Sequence, residues 1–131
     1  MKTSKLLFYL DDDVDDLNYF KHIISDLGHR TEIFMTGNEL LYALKHEVEK
    51  PDIIFLDVHM PILNGEEILS IIKKSEDYKY IPIVMISGAF PKKLARDYQK
   101  MGVDYLMKKS VGSDLKASLM QVLEFRFPLT A

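Results

Sequence analysis

Short apolar runs alternate with segments of helical period along the whole chain. Five runs have the length of β-strands and are rich in β-branched or aromatic residues. They cover residues 5–10, 31–35, 52–56, 81–87 and 103–107. The first, third and fourth runs are almost continuously apolar, which is typical of strands that are covered on both faces of a parallel sheet.

Five further segments repeat apolar residues every three or four positions, as amphipathic helices do. They cover residues 14–27, 38–48, 65–74, 91–101 and 113–125. Gly28 supplies a stop for the first helix, and Ser113 is a candidate N-cap of the last one. This alternation predicts an α/β domain of five strand–helix units, with a parallel sheet and helices on both faces.

The composition fits one globular domain. The chain has 131 residues, 47% of them hydrophobic and 28% charged, with a net charge of −3 and no cysteine. The negative balance argues against a general nucleic-acid-binding surface, and the absence of cysteine excludes disulfides and thiolate chemistry. Because the N-terminal apolar run is too short for a signal peptide or a membrane span, we expect a cytoplasmic protein without membrane contact.

Polar side chains stand where four of the predicted strands end. They are Asp11, Asp12, Asp13, Asp57, Ser87 and Lys108. Since ligands of open parallel sheets bind at the carboxyl ends of the strands, we expect these side chains to converge on one edge.

The convergence of Asp11, Asp12 and Asp57 predicts a bound cation, because three crowded carboxylates raise one another's pKa unless a positive charge lies among them. Oxygen ligands of this kind suit Mg²⁺. A lysine and a divalent cation beside a carboxylate favour phosphoryl transfer to that carboxylate, which forms an aspartyl phosphate. Asp13, Asp15 and Asp16 are more simply explained as the start of the first helix.

Four motifs carry a resemblance to a known family. They resemble the receiver domains of two-component response regulators, and they occur in that family's order and at about its spacing. The motifs are LDDDVDD, PDIIFLDVHMPILNGEEIL, IPIVMISG and GVDYLMKK. The resemblance spans about residues 5–125. It implies a flavodoxin-like three-layer sandwich with sheet order 2-1-3-4-5. It also implies a single receiver domain over residues 1–131 with no output domain, similar to stand-alone chemotaxis regulators.

The resemblance implies a role for each residue of the predicted site. Asp57 is the phosphoacceptor, and it binds Mg²⁺ together with Asp11, Asp12 and the backbone carbonyl of His59. The donor is a sensor histidine kinase or a histidine phosphotransfer protein. The domain is then no conventional enzyme, although it catalyses its own phosphorylation and dephosphorylation.

Ser87 and Lys108 match the hydroxyl and the lysine that contact the phosphoryl group in the family. Ser87 is also a switch residue, together with Tyr105, which matches the aromatic whose rotamer reports phosphorylation. The output is expected to be contacts with a downstream protein through the surface of the helix at 91–101, the strand at 103–107 and the helix at 113–125.

The choice of Lys108 rests on strand alternation and spacing. Lys108 shares a strand face with Leu106, whereas Lys109 faces the other way, and Tyr105 lies three residues before Lys108. The family's lysine is normally followed by proline through a cis peptide bond, but Lys109 stands there. A cis bond without proline costs about 2.5–4 kcal/mol, so we expect either a supported cis bond or a trans loop.

Two other functions are open on the sequence. A haloacid-dehalogenase-like phosphatase also uses an aspartate and Mg²⁺ after its first strand, although Asp15 stands where threonine or valine belongs in its motif. A degenerate receiver, which is not phosphorylated and serves as a binding module, is suggested by the missing proline.

Overall fold

The computed structural model describes residues 4–58, 65–110 and 112–127, in which five strands alternate with five helices. The strands are β1 (Leu6–Leu10), β2 (Arg30–Phe34), β3 (Ile53–Asp57), β4 (Ile83–Ser87) and β5 (Tyr105–Lys108). The helices are α1 (Val14–Asp26), α2 (Gly37–His46), α3 (Gly65–Lys74), α4 (Lys92–Lys100) and α5 (Ser113–Glu124). Every strand pair is parallel, and the order is β2-β1-β3-β4-β5. The predicted fold class and strand order are confirmed.

Two apolar layers cover the two faces of the sheet. On β1, Phe8 and Leu10 belong to the layer beneath α2, α3 and α4, whereas Leu7 and Tyr9 belong to the layer beneath α1 and α5. We call these sides the α2–α4 face and the α1/α5 face. Because successive strand residues point to opposite faces, these layers also assign a face to each polar residue at the strand ends.

The ends of α1 follow local rules that the sequence already indicated. The Asp13 carboxylate caps the helix by accepting a hydrogen bond from the Asp16 backbone N–H at 3.1 Å. Gly28, with φ of 87°, follows the last turn and donates its N–H to the Ser25 carbonyl, as the predicted stop requires.

The prediction for α5 is wrong, because Gly112 holds the N-cap position and Ser113 is the first helical residue. No helix within the described ranges is long and apolar enough to cross a bilayer.

His29 makes the stability of the β1–β2 edge depend on pH. Its Nδ1 accepts a hydrogen bond from the Lys5 backbone N–H at 2.9 Å, which requires an unprotonated nitrogen. Burial, with a smaller effect from Lys5, lowers the pKa of His29 from its ordinary 6.5. This contribution is therefore complete above the unfolded-state pKa and is lost as the pH falls through the lower folded-state pKa.

We expect His29→Gln to flatten the pH dependence of the free energy of unfolding between about pH 7.5 and about pH 5.5. Urea denaturation at several pH values measures it. The matched control is His22→Gln, since the His22 side chain is 72% exposed and pairs with Asp26 on the surface of α1. Equal pH slopes for His29→Gln and the wild type would contradict the role of His29.

Candidate functional site

Three carboxylates meet at the carboxyl edge of the sheet. Asp11 directly follows β1, Asp57 is the last residue of the neighbouring β3, and Asp12 comes next to Asp11. Each offers an oxygen, and these oxygens lie within 4.8 Å of one another. Asp11 and Asp57 are only 0% and 4% exposed, whereas Asp12 is exposed. The cluster therefore places concentrated negative charge at a partly buried edge.

The lysine that enters this cluster is Lys109. Its Nζ lies 2.8 Å from Asp16 Oδ2, 3.0 Å from Asp11 Oδ2 and 3.6 Å from Asp57 Oδ2. Burial alone would lower the pKa of Lys109, but the hydrogen bonds to Asp16 and Asp11 outweigh it and raise the pKa above its ordinary value. Lys109 is therefore a permanent cation at neutral pH.

The structure brings Lys109, and not the predicted Lys108, to the carboxylates, and the faces of the sheet explain why. Phe55 and Met107 pack on the α1/α5 face. Asp57 lies two residues after Phe55, and Lys109 lies two residues after Met107, so both share that face. Lys108 follows Leu106, which packs on the α2–α4 face, and it is exposed. The lysine that reaches Asp57 has to share the face of Asp57 and not the face of Leu106.

The role of Tyr105 as the switch aromatic, which rests on its spacing to Lys108, stays a prediction. The Tyr105 ring packs edge-on against Phe125, with 5.2 Å between centroids, on the α1/α5 face. The residue three positions before Lys109 is Leu106, which packs against the layer beneath α4. An aliphatic side chain therefore occupies the position that the resemblance assigns to an aromatic.

Ser87 lies at the same edge as the carboxylates. It ends β4, directly beside β3, and is 1% exposed. Its Oγ donates to the Ala89 carbonyl at 2.9 Å and accepts from the Ala89 N–H at 3.3 Å. The Lys109 N–H donates to the Ser87 carbonyl at 2.7 Å, which ties the ends of β4 and β5 together. The contact of Ser87 with a phosphoryl group stays a prediction.

The loop after β5 takes the trans alternative. The described residues contain no cis peptide bond. With Lys109 as the site lysine, the residue in the family's proline position is Ser110, so the departure from the family pattern remains but moves by one residue.

Tyr9 is a site residue that sequence reasoning missed. Its hydroxyl donates to Asp11 Oδ2 at 2.5 Å, and the Asp13 N–H donates to Asp11 Oδ1 at 3.1 Å. Burial would raise the pKa of Asp11, but the hydrogen bonds from Tyr9 and Lys109 lower it below its ordinary value. Asp11 therefore stays ionised at neutral pH. The sequence could have indicated this contact, because Tyr9 and Asp11 are two residues apart and residues two apart on a strand share a face.

The donor set fits a divalent cation. Three carboxylates supply hard oxygen ligands, and the exposure of Asp12 leaves one side accessible to water, as Mg²⁺ prefers. The ammonium of Lys109 already contacts two of the three carboxylates, which shows that this edge attracts positive charge. Asp11, Asp12 and Asp57 are therefore the residues that would hold the metal. The predicted carbonyl ligand, His59, lies outside the described residues.

The model of the response regulator receiver domain family matches residues 7–120 of this chain. The chain is a receiver domain. Receiver domains are the phosphoacceptors of two-component signalling and bind a divalent metal at an acidic pocket; they are not conventional enzymes. The match also decides against the phosphatase alternative.

Curated relatives agree with this membership. The cyclic di-GMP phosphodiesterase response regulator RpfG of Xanthomonas campestris is 24% identical over 89% of this chain, which spans 31% of RpfG's length. The chain also spans less than half of two other curated relatives.

Two solved structures share the fold. Chemotaxis response regulator CheY4 of Vibrio cholerae has a TM-score of 0.79 at 22% identity, covering 92% of this chain and 99% of CheY4. The Mn²⁺-bound form of response regulator Rcp1 has a TM-score of 0.80 at 22% identity, covering 97% of this chain and 99% of Rcp1.

Proposed function

We propose that this receiver domain accepts a phosphoryl group on Asp57 from a phosphohistidine of a sensor histidine kinase or histidine phosphotransfer protein in the cytoplasm. Asp11, Asp12 and Asp57 would hold the Mg²⁺ for this transfer. The observation that carries the proposal is the meeting of three carboxylates with the Lys109 ammonium at the carboxyl edge of the sheet. The single-domain organisation over residues 1–131 stays a prediction.

The proposed step is a displacement at phosphorus. An Asp57 carboxylate oxygen attacks, the new O–P bond forms, and the P–N bond to the donor imidazole breaks with its electron pair left on nitrogen. Lys109, 3.6 Å from Asp57 Oδ2, neutralises charge on the phosphoryl oxygens, and the Ser87 hydroxyl donates a hydrogen bond to one of them. A divalent cation held by the carboxylates would supply further charge neutralisation there.

We further propose that the signal leaves through contacts of α4, β5 and α5 with an acidic protein. The exposed surface of α4 carries four cations, Lys92, Lys93, Arg96 and Lys100. Cations in a first helical turn oppose the helix dipole, so Lys92 and Lys93 do not favour the helix itself. The buried Tyr98 holds α4 to α3 by donating a hydrogen bond to Glu66 at 2.6 Å.

Incubation with acetyl phosphate and Mg²⁺ tests the phosphoacceptor. We expect a mass gain of one phosphoryl group that is stable in acid, is removed by hydroxylamine and needs a divalent cation. Asp57→Asn should abolish the gain, because the amide is no nucleophile for this step. The control is Asp77→Asn, which removes a carboxylate from an exposed position and should be phosphorylated like the wild type.

A mass gain that survives Asp57→Asn would place the phosphoryl group elsewhere and overturn the proposal. A folded wild-type protein that gains no mass and shows no Mg²⁺-induced NMR shifts around Asp12 and Asp57 would instead support the degenerate receiver, a binding module without phosphorylation.

A further inference from the structure

Lys109 makes its shortest ionic contact with a carboxylate outside the predicted metal cluster. Its Nζ is 2.8 Å from Asp16 Oδ2, which is closer than either Asp11 Oδ2 at 3.0 Å or Asp57 Oδ2 at 3.6 Å. Asp16 belongs to α1 and not to a strand end. The lysine is therefore shared between the cluster and a separate anchor.

The start of α1 fixes the position of this anchor. Asp13 caps the helix through the Asp16 N–H, so Asp16 stands in the first turn with its backbone held. Its side chain is 35% exposed, and that of Lys109 is 32% exposed. A small cavity of about 20 Å³ lies beside the pair, lined by both residues together with Tyr9 and Ser110. Packed side chains therefore do not enclose the ion pair completely.

Asp16 matters most when a divalent cation occupies the cluster. Asp11, Asp12 and Asp57 would hold the cation, and its charge would repel the ammonium, which lies against two of those residues. Without another partner, Lys109 competes with the cation for the same oxygens. Asp16 removes that competition, because it offers the ammonium a carboxylate beyond the cluster while keeping it beside Asp57.

We propose that Asp16 is a positioning residue that holds Lys109 beside Asp57 while the divalent cation occupies the three-carboxylate cluster. The proposal rests on the metal site of the proposed function. Two effects of Asp16 act in the same direction: its charge attracts the cation, and its ion pair withdraws Lys109 from the cation's ligands. The second effect depends on contact and belongs to Asp16 alone.

Asp16→Asn and Asp15→Asn form a matched pair of variants. Both remove one charge from the first turn of α1, and Asp15 is exposed. NMR or calorimetric titration with Mg²⁺ should show a dissociation constant about three- to fivefold higher for Asp16→Asn, as loss of a partly exposed ion pair implies, and less than about twofold higher for Asp15→Asn. In a Lys109→Gln background the excess effect of Asp16→Asn should disappear.

A second measurement uses the metal-free protein. The side-chain ¹⁵Nζ resonance of Lys109, assigned by its absence in Lys109→Arg, should shift in Asp16→Asn and stay in place in Asp15→Asn. This readout reports the ion pair itself and does not require phosphorylation.

The outcomes separate the two proposals. A wild-type protein that binds no Mg²⁺ overturns the metal site, and the Lys109 resonance then still reports on the ion pair. If the wild type binds Mg²⁺ but Asp16→Asn matches Asp15→Asn or binds more tightly, the positioning role is overturned. An excess effect that persists in the Lys109→Gln background also overturns it, because Asp16 would then act through its charge alone.

Discussion

Replacing Lys109 with glutamine is expected to slow phosphorylation by acetyl phosphate about 100-fold or more, the loss that follows removal of a preorganised charge-stabilising group. Lys108→Gln should stay within about twofold of the wild type, because Lys108 is exposed on the opposite face of β5. The Lys109 ammonium is the cation nearest Asp57 in the described residues, at 3.6 Å from Oδ2. Rates of phosphoryl incorporation at saturating Mg²⁺ measure the contrast.

Stability provides the control for this pair of variants. Lys109→Gln leaves the buried Asp11 and Asp57 without the ammonium of Lys109. In the absence of metal, this should lower the free energy of unfolding by about 1–3 kcal/mol, which is less than the cost of breaking a fully buried ion pair. Because the lysine's pKa is raised, this stabilisation is present below the ordinary lysine pKa and lost only above it. Rates are therefore compared under conditions in which both variants are folded. A slow Lys108→Gln together with a fast Lys109→Gln would restore the original assignment of Lys108.

Gly65→Ala is expected to disturb both the fold and the phosphoacceptor. Gly65 is the first residue of α3, and a Cβ added there would lie 2.5 Å from the Asp57 carbonyl oxygen and 3.3 Å from the Met85 methyl. Contact with a backbone oxygen at that distance forces α3 or the end of β3 to move. Such overpacking costs about 1–3 kcal/mol, which exceeds the gain of about 1 kcal/mol or less from alanine's helix propensity.

Urea denaturation and phosphorylation rates test this prediction together. Gly88→Ala is the matched control for stability, because a Cβ at Gly88 meets nothing within 4 Å; its free energy of unfolding should change by no more than about 0.5 kcal/mol. Gly65→Ala should also phosphorylate more slowly than the wild type when fully folded, since the shift acts directly on Asp57. An equally stable and equally active Gly65→Ala would contradict the prediction, because α3 would then accommodate the added methyl group without moving Asp57.

The fold followed from the sequence because its signals are local. Apolar runs of strand length and helical periods fix the elements, and parallel strands joined by helices leave few topologies. The carboxylate cluster followed as well, since a parallel sheet brings the carboxyl ends of its strands to one edge. Asp11, Asp12 and Asp57 meet there because they follow or end neighbouring strands.

The lysine could not be chosen by the same means. Lys108 and Lys109 are adjacent and identical in chemistry, and the two faces of the sheet differ only in which helices cover them. Alternation relates Lys109 to Met107 and Asp57 to Phe55, but it takes the packed layers to show that these residues share the α1/α5 face. The assignment of Tyr105 depends on its spacing to Lys108, so the choice of lysine also decides which residue holds the position of the aromatic.

The sequence by itself determined the alternation of strands and helices and the acidic edge of this receiver domain, because both follow from the order of apolar and polar residues along the chain, and the strand order followed from the resemblance to the family. The tertiary structure alone decided which lysine enters the edge, that Tyr9 donates to Asp11 and that Asp16 anchors Lys109. The contacts of Lys109 join side chains far apart in the sequence, such as Lys109 and Asp11, whereas Tyr9 and Asp11 are two residues apart. The formation of these contacts depends on the face and depth of each residue, which only the packing of α1 against the sheet fixes.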